Sequence, residues 1–445
     1  MHPRRLLLPL ALITVLVSIT GCKKSASEVP DNSGLWPFYD KGKVGYLDDT
    51  GKVAVEAKFD VGLPFAEGFA PVRIGERWGY ADTKGNLAIN PQFDHAGQFS
   101  DGLALVAVKD RWGYIEKTGS YAINPQFDLA GPFTEGLAAV KVGKRWGYVD
   151  RKGSLIINPQ FDGAGQFSEG LAAVRIEDRF GYVDKAGKIV INPQFDVAFM
   201  FSEGLAAAGT SDRRGYIDKD GKYVITPQFD AAENFSEGIA AVASSDKWGY
   251  IGKDGKYLVN PQFDHAERFA DGRAVVSLAG RRGYVDSSGK FVINPQYEAA
   301  SMFVHGLAWV KEESGNVGYI DKSGKYVWLD KSGSVKKTMA DMRTIATAWE
   351  ARATDTNSYY VIYNDGPLQP DQLAGALSPT YIRSMPRTDG WSKPFVFSVA
   401  NGGQSYTIVS AGPDGNTPAP RGHDNDDIVF QNGQFTQSPP GIQTQ

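Results

Sequence analysis

The sequence predicts a mostly β repeat array followed by a small α+β domain, and three observations lead there. A 34-residue unit recurs between residues 35 and 333. Nearly every unit carries a mid-unit proline and several glycines, which excludes the helical pairs that the same period would otherwise allow. After Asp330 the period stops, and apolar residues recur at three- and four-residue spacing instead. The composition agrees, since 51 glycines and 12% aromatic residues favour short strands joined by tight turns. At 445 residues, more than one domain is expected. A net charge of −4 leaves no basic footprint, so no nucleic-acid partner is expected.

Residues 1–21 read as an export signal. Arg4 and Arg5 precede an apolar run over residues 6–19, which is shorter than a bilayer-spanning helix needs. The run ends in "SITGC", which resembles the lipobox of bacterial lipoproteins. That resemblance implies cleavage after Gly21 and lipidation of Cys22; an ordinary cleaved signal is the alternative. By the family's rule in enteric-type bacteria, Lys23 after the cysteine implies the outer membrane, so the chain would meet the membrane through its lipid anchor. Cys22 is the only cysteine, so internal disulfides are excluded and stability must come from packing. Residues 22–34 read as a short tether.

The repeats come next. The dipeptide Gly-Tyr begins at Gly45 and returns every 34 residues as far as Gly283, then once more at Gly318. In the unit "WGYIEKTGSYAINPQFDLAGPFTEGLAAVKVGKR", "WGYIE" reads as a strand, "KTGS" as a glycine turn and "YAIN" as the returning strand. Pro125 is expected to end that strand, because it cannot donate to a ladder. A compact connector then points Phe127, Ala130 and Phe133 inward, and "LAAVKV" supplies a third strand. The unit "RWGY-D--G---INPQFD-A--FSEGLA-V" resembles the WG-containing repeat family of bacteria. Three short strands per unit, stacked solenoid-like over about nine units, are the leading expectation. A closed propeller-like ring is the alternative, since the lone "LWPFYD" strand and the final hairpin would complete one another if the ends met.

One acid recurs in every unit after the aromatic residue, as at Asp128, and a second in most units before the glycine, as at Glu135. Turn and cap bonds to backbone N–H groups explain an eightfold acid pair better than metal or catalytic use. Breaks in the pattern are more informative: His305 replaces the second acid in unit eight, and Arg214 and Arg282 replace the aromatic before Gly-Tyr. His95 and His265 share a slot five units apart, too far to share a ligand. No HExxH, GxSxG or phosphate-cradling loop is present, so an enzyme is not expected.

Beyond the repeats, Val335, Met339, Met342, Ile345, Trp349 and Ala353 form one apolar helical stripe with Ser334 as the expected N-cap. A short helix over "PDQLAGAL" and strands over "PFVFSV" and "QSYTIVSA" follow. "YIRSMPRTDGWSKPFVFSV" and "SYTIVSAGPDG…DNDDIVF" resemble the globular domain of the type II secretion major pseudopilin, placing a pseudopilin-like domain over residues 334–436 and a tail over 437–445. The long apolar helix that starts a pseudopilin is missing, which argues against assembly into a fibre. The resemblance implies a calcium site with Asp414, Asp426 and Asp427 as carboxylate ligands and carbonyls near Ala411, Asn416 and Asp424. Calcium takes six to eight oxygens in a flexible shell. The inserted "TPAPRG" unsettles the carbonyl positions, and a solvated turn-rich loop is the alternative.

The resulting expectation is a non-enzymatic envelope lipoprotein whose repeats bind a protein or polysaccharide. A component or adaptor of a type II secretion or pilus-like apparatus, engaging its pseudopilins, is the second reading. An envelope hydrolase drawing acids from the repeats is the weakest.

Overall fold

The computed structural model describes residues 34–359, 361, 365–413 and 427–438. In one repeat, the strand Arg145–Asp150 buries Gly147, Tyr148 and Val149 at its centre. It pairs antiparallel with Leu137–Val142 on one side and Leu155–Phe161 on the other. The two-residue strand Leu129–Ala130 completes the sheet by pairing with Leu137–Val142. Each repeat therefore has four strands in chain order, one beyond the three expected, because the start of the connector joins the ladder. Among the described residues, eight such sheets follow a three-stranded one made by Trp36–Asp40, Lys43–Leu47 and Val53–Phe59.

Proline does not end the fourth strand, contrary to expectation. Tyr121–Phe127 runs through Pro125, with Trp112 opposite Phe127 and Tyr114 opposite Ile123. Residues 123–127 thus bulge over 112–114, and a proline inside a bulge needs no ladder partner. The bulge also explains the glycine before each tyrosine. A Cβ on Gly113 would lie 2.6 Å from both the Ile123 oxygen and the Pro125 nitrogen, so no side chain fits beneath the crossing backbone.

The core repeats with the chain. Leu137, Tyr148, Ile157 and Phe161 of one sheet pack with Phe167, Val174 and Val183 of the next, so each apolar cluster is shared between neighbours. The Gly-Tyr tyrosine is its anchor: Tyr114 is fully buried, meets Phe133 edge-on at 4.7 Å and donates its hydroxyl proton to the Gly131 carbonyl at 2.6 Å. The mostly β repeat array stands, with a small α+β region after it.

By its internal contacts the chain forms two compact bodies. Among the described residues, the first runs to Asn294 and includes Met302–Leu307, and the second holds Pro295–Ser301 and everything from Ala308 onward. The second body therefore contains most of the last repeat together with helix α1 (Ser332–Thr356), helix α2 (Pro370–Leu377) and a five-stranded antiparallel sheet. That sheet runs in chain order through Gly366–Leu368, Val396–Ala400, Ser405–Ser410, Ile428–Gln431 and Gln434–Gln437. Val335, Met339, Met342, Ile345 and Trp349 are buried, as the stripe requires, whereas Ala353 is only half-buried. Among the described residues no helix is long and apolar enough to cross a membrane.

Ser334 is not the N-cap of α1. Lys331 occupies that position without a side-chain bond, and Ser334 lies inside the first turn. Its N–H donates to the Asn316 side-chain oxygen at 2.9 Å, and its hydroxyl donates to the Gly390 carbonyl at 2.9 Å. Gly390 in turn donates its N–H to the Thr338 hydroxyl at 2.8 Å. A Cβ on Gly333 would collide with the backbone of Gly315 and Asn316. The helix start is therefore seated on the turn between Leu307–Lys311 and Val317–Asp321, and the side chains of Asp330 and Asn316, rather than one at the N-cap position, accept from the free N–H groups of Ser332 and Ser334.

Candidate binding surface

The recurring acids are engaged with backbone and lysine or arginine partners. Asp230 pairs with Arg213 at 2.6 Å and accepts from the Ser245 N–H at 2.8 Å, linking the turn before Arg214–Ile217 to the turn between Ile239–Ser244 and Lys247–Gly252 of the next sheet. Asp60 and Asp264 hold the same geometry with Lys43 and Lys247, whose hydrogen bonds keep both carboxyls below the usual carboxylate range. The second acid works between repeats. Glu169, at φ +54°, accepts from the Gly204 N–H at 3.0 Å and meets Lys219 at 3.2 Å. Glu203, Glu237 and Asp271 repeat the bond to Gly238, Gly272 and Gly306. His305 takes the slot in the last repeat, where no further repeat offers a glycine N–H.

A second periodic feature is the slot before Gly-Tyr. Trp78, Trp112, Trp146, Phe180 and Trp248 are half-buried there. His95 stacks on Trp112 at 5.8 Å and 15°, and His265 meets Trp248 edge-on at 5.2 Å, so each histidine serves a different tryptophan. At the two breaks, Arg214 lies over the Phe199 ring at 5.6 Å, and Arg282 pairs with Glu267 at 3.1 Å.

Around these arginines lies a polar cluster that sequence reasoning missed. Burial pushes the Glu233 carboxyl up, against the opposing pull of Arg214 and Arg268. Glu267 is likewise pushed up by burial, with Arg282 and Arg268 pulling the other way. Burial, with Arg282 alongside, pushes His265 down. The signal was present in the repeat columns: Gly97, Gly131 and Gly165 fill the slot that becomes Phe199, Glu233 and Glu267. Reading the sequence for motifs rather than columns passes over it.

The residues proposed from the lipobox and pseudopilin resemblances fall largely elsewhere. Cys22, Asp414, Asn416, Asp424 and Asp426 lie outside the described residues. Ala411 and Asp427 are both buried, and the Ser410–Ile428 pairing brings them to the same end of the sheet. Nearby, buried Asp389 accepts from the Ser410 hydroxyl at 2.6 Å and from the N–H groups of Trp391 and Lys393. Among the described residues no group of three or more His, Cys, Asp or Glu is placed to hold a metal.

Four-stranded sheets strung in chain order, each sharing its core with the next, define a β-repeat protein. The model of the WG containing repeat matches eight segments, from 45–78 through 283–314. The chain belongs to the WG containing repeat family. No significant relative is found among curated proteins. The crystal structure of a eukaryotic initiation factor is similar in fold, at 10% identity over 68% of this chain and 96% of its own, with a TM-score of 0.51. The computationally designed Ika8 protein matches over 58% of this chain and 94% of its own, at 12% identity and a TM-score of 0.40. BamB from Moraxella catarrhalis matches over 66% of this chain and 98% of its own, at 10% identity and a TM-score of 0.36.

Proposed function

We propose that this protein is a non-enzymatic binding or scaffold module of the bacterial envelope, its repeats engaging a protein or polysaccharide partner. The observation that carries this reading is the fate of the repeated acids. Asp230 and Glu169 are bound to backbone N–H groups and to arginine or lysine, which suits a scaffold better than a set of free general acids. Half-buried aromatic residues at one slot in five of the repeats, Trp78, Trp112, Trp146, Phe180 and Trp248, supply a surface to be read.

The same reading places the chain in the envelope through a lipid on Cys22, with the outer membrane as its address; the "SITGC" motif supports it. It takes the region after the repeats as a pseudopilin-like module stiffened by calcium. Supporting this are the amphipathic helix α1 followed by an antiparallel sheet, and the hard oxygen donors Asp414, Asp426 and Asp427. Calcium would supply a fixed charge that draws these carboxylates together. Affinity capture from native envelopes, with calcium and with chelator, tests the whole. A saturable partner and no turnover of envelope polymers are expected. Hydrolysis of such a polymer, or no partner in either condition, would overturn it.

A second reading, an adaptor to a type II secretion or pilus-like apparatus, draws on the same helix-and-sheet order. Absence of pseudopilins from the captured material would remove it.

A further inference from the structure

Among the described residues, the fourth strand of each four-stranded repeat lies at the edge of its sheet. In six consecutive sheets, from Leu87–Phe93 to Tyr257–Phe263, that strand holds no Asp, Glu, Lys or Arg. Across the chain 22% of residues are charged, so an exposed run without charge over six repeats is not the ordinary surface of this protein. The sheet before them shows the contrast, since Val53–Phe59 carries Glu56 and Lys58.

What the six strands expose instead is of two kinds. Their first two positions hold large apolar side chains, Tyr121, Ile156, Val224 and Leu258 among them. Nine of the seventeen exposed large apolar residues among the described residues fall here, so the apolar surface is concentrated on these edges. The fourth and sixth positions hold exposed side-chain amides, as at Asn158 and Gln160, with Thr226 the one departure. Among the described residues none of these amides has a hydrogen-bond partner for its side chain. Each therefore keeps an acceptor and two donors for a ligand.

The edges adjoin one another. Phe93 meets Tyr121 edge-on at 6.3 Å, Phe195 meets Tyr223 at 6.1 Å and Phe229 meets Tyr257 at 6.2 Å. The last residue of one strand thus touches the first residue of the next, and the exposed row is continuous.

Two observations restrict what can lie on it. Each strand is bulged against its neighbour, as where Trp146 faces Phe161 and Tyr148 faces Ile157, and a bulged edge pairs poorly with a further strand. A second copy or an extended peptide is therefore disfavoured as an added strand. An uncharged row also has no ion pairs to give a polyanion, a polycation or a charged lipid surface. A neutral ligand that is both apolar and rich in hydrogen-bonding groups fits instead. A sugar ring has an apolar C–H face for residues such as Tyr121 and Leu258, and hydroxyls that donate and accept as a primary amide does. A polymer of such rings repeats its groups as the strands repeat theirs, which the surface of a folded protein does not.

We propose that the six edge strands bind an uncharged polysaccharide along this row, the Asn and Gln amides taking its hydroxyls and the apolar pair its ring faces. The proposal rests on the reading of the array as a binding module and names its ligand class. Calorimetric titration of the full chain with dextran, laminarin, polygalacturonate and phosphatidylcholine vesicles tests it. Wild type is compared with Gln160→Ala/Gln194→Ala and with Val224→Ser, all at exposed side chains, and unchanged melting temperatures serve as the check. At least one neutral glucan should bind saturably and independently of salt, with the dissociation constant raised about tenfold in the amide variant. Val224→Ser should weaken the same glucan, and polygalacturonate should bind less tightly than it.

No binding of either glucan, or wild-type affinity in both variants, would overturn the neutral site. Tighter binding of polygalacturonate that fades with salt would overturn it as well. Vesicle binding that Val224→Ser abolishes, without glucan binding, would assign the row to lipid instead. If no glucan binds but an envelope protein is captured, the glycan proposal alone falls. If neither experiment finds a ligand, both readings fall together.

Discussion

Gly204 donates its backbone N–H to Glu169 across 3.0 Å, linking positions thirty-five residues apart in successive repeats. Repeated along the array, this one bond turns a string of sheets into a cooperative stack, because each acid closes the turn of the repeat that follows it. Removing the carboxylate takes the charged acceptor from an exposed N–H and the partner from Lys219. Glu169→Ala should therefore cost about 1 kcal/mol. His305→Ala, at the slot with no following repeat, should stay within about 0.5 kcal/mol of wild type. Urea denaturation of the two variants checks the contrast, and equal losses would count against the staple.

The glycine before tyrosine makes a sharper case. In Gly113→Ala the new methyl would sit 2.6 Å from the Ile123 oxygen, so the bulge has to move. A loss of about 3 kcal/mol is expected, the upper range for overpacking. Gly131→Ala is the control, since the nearest atom there is the Ala139 oxygen at 3.8 Å. Its effect should be small. Thermal unfolding of both variants decides whether close approach or mere glycine content matters.

The buried tyrosines set an alkaline limit. Burial pushes Tyr80, Tyr114, Tyr148, Tyr182, Tyr216 and Tyr250 far above the ordinary phenol range. Above pH of about 10 the unfolded chain loses phenolic protons that the folded chain keeps. Stability therefore falls as pH rises through that point, and it falls with a slope set by several groups at once. Tyr114→Phe should remove one proton from the slope while costing about 1 kcal/mol at neutral pH through the unpaired Gly131 carbonyl. Denaturation midpoints between pH 8 and 11 measure both.

Glu233 and Glu267 act in the opposite sense to the surface aspartates. Their folded pKa values are raised by burial, so above the ordinary carboxyl value the folded state holds protons that the unfolded state has released. Stability contributed here is greatest at acid pH and declines as pH rises through the raised values. Glu233→Gln should remove this decline just above the ordinary value, so that stability there falls more steeply with acid than in wild type, and leave neutral-pH stability equal or higher. A shallower acid loss in that variant would show that Arg214 and Arg268 outweigh burial.

Gly333→Ala tests the seat of helix α1. With Gly315 and Asn316 directly against Gly333, a methyl group displaces the helix start and the Ser334–Asn316 bond with it. Faster proteolysis after the last repeat and a lower melting temperature are the expected outcomes.

The repeat array was legible from the chain because its determinants are local and repeated. Glycine turns, aromatic strands and a fixed period report the same unit again and again, so Gly-Tyr and "INPQF" marked their strands directly. Likewise the apolar stripe of Val335 to Trp349 announced a helix through spacing alone. What the sequence left undecided was set by contacts between distant residues. Pro125 reads as a stop until the strand opposite shows a bulge that needs no donor, and Ser334 reads as a cap until Asn316 and Gly390 claim it. The short first strand exists only because Leu129 and Ala130 find Lys141 and Val140 across the sheet. The charged cluster around Glu233 escaped for the same reason. Arg214, Arg268 and Arg282 stand in separate repeats, and only folding gathers their charge into one place.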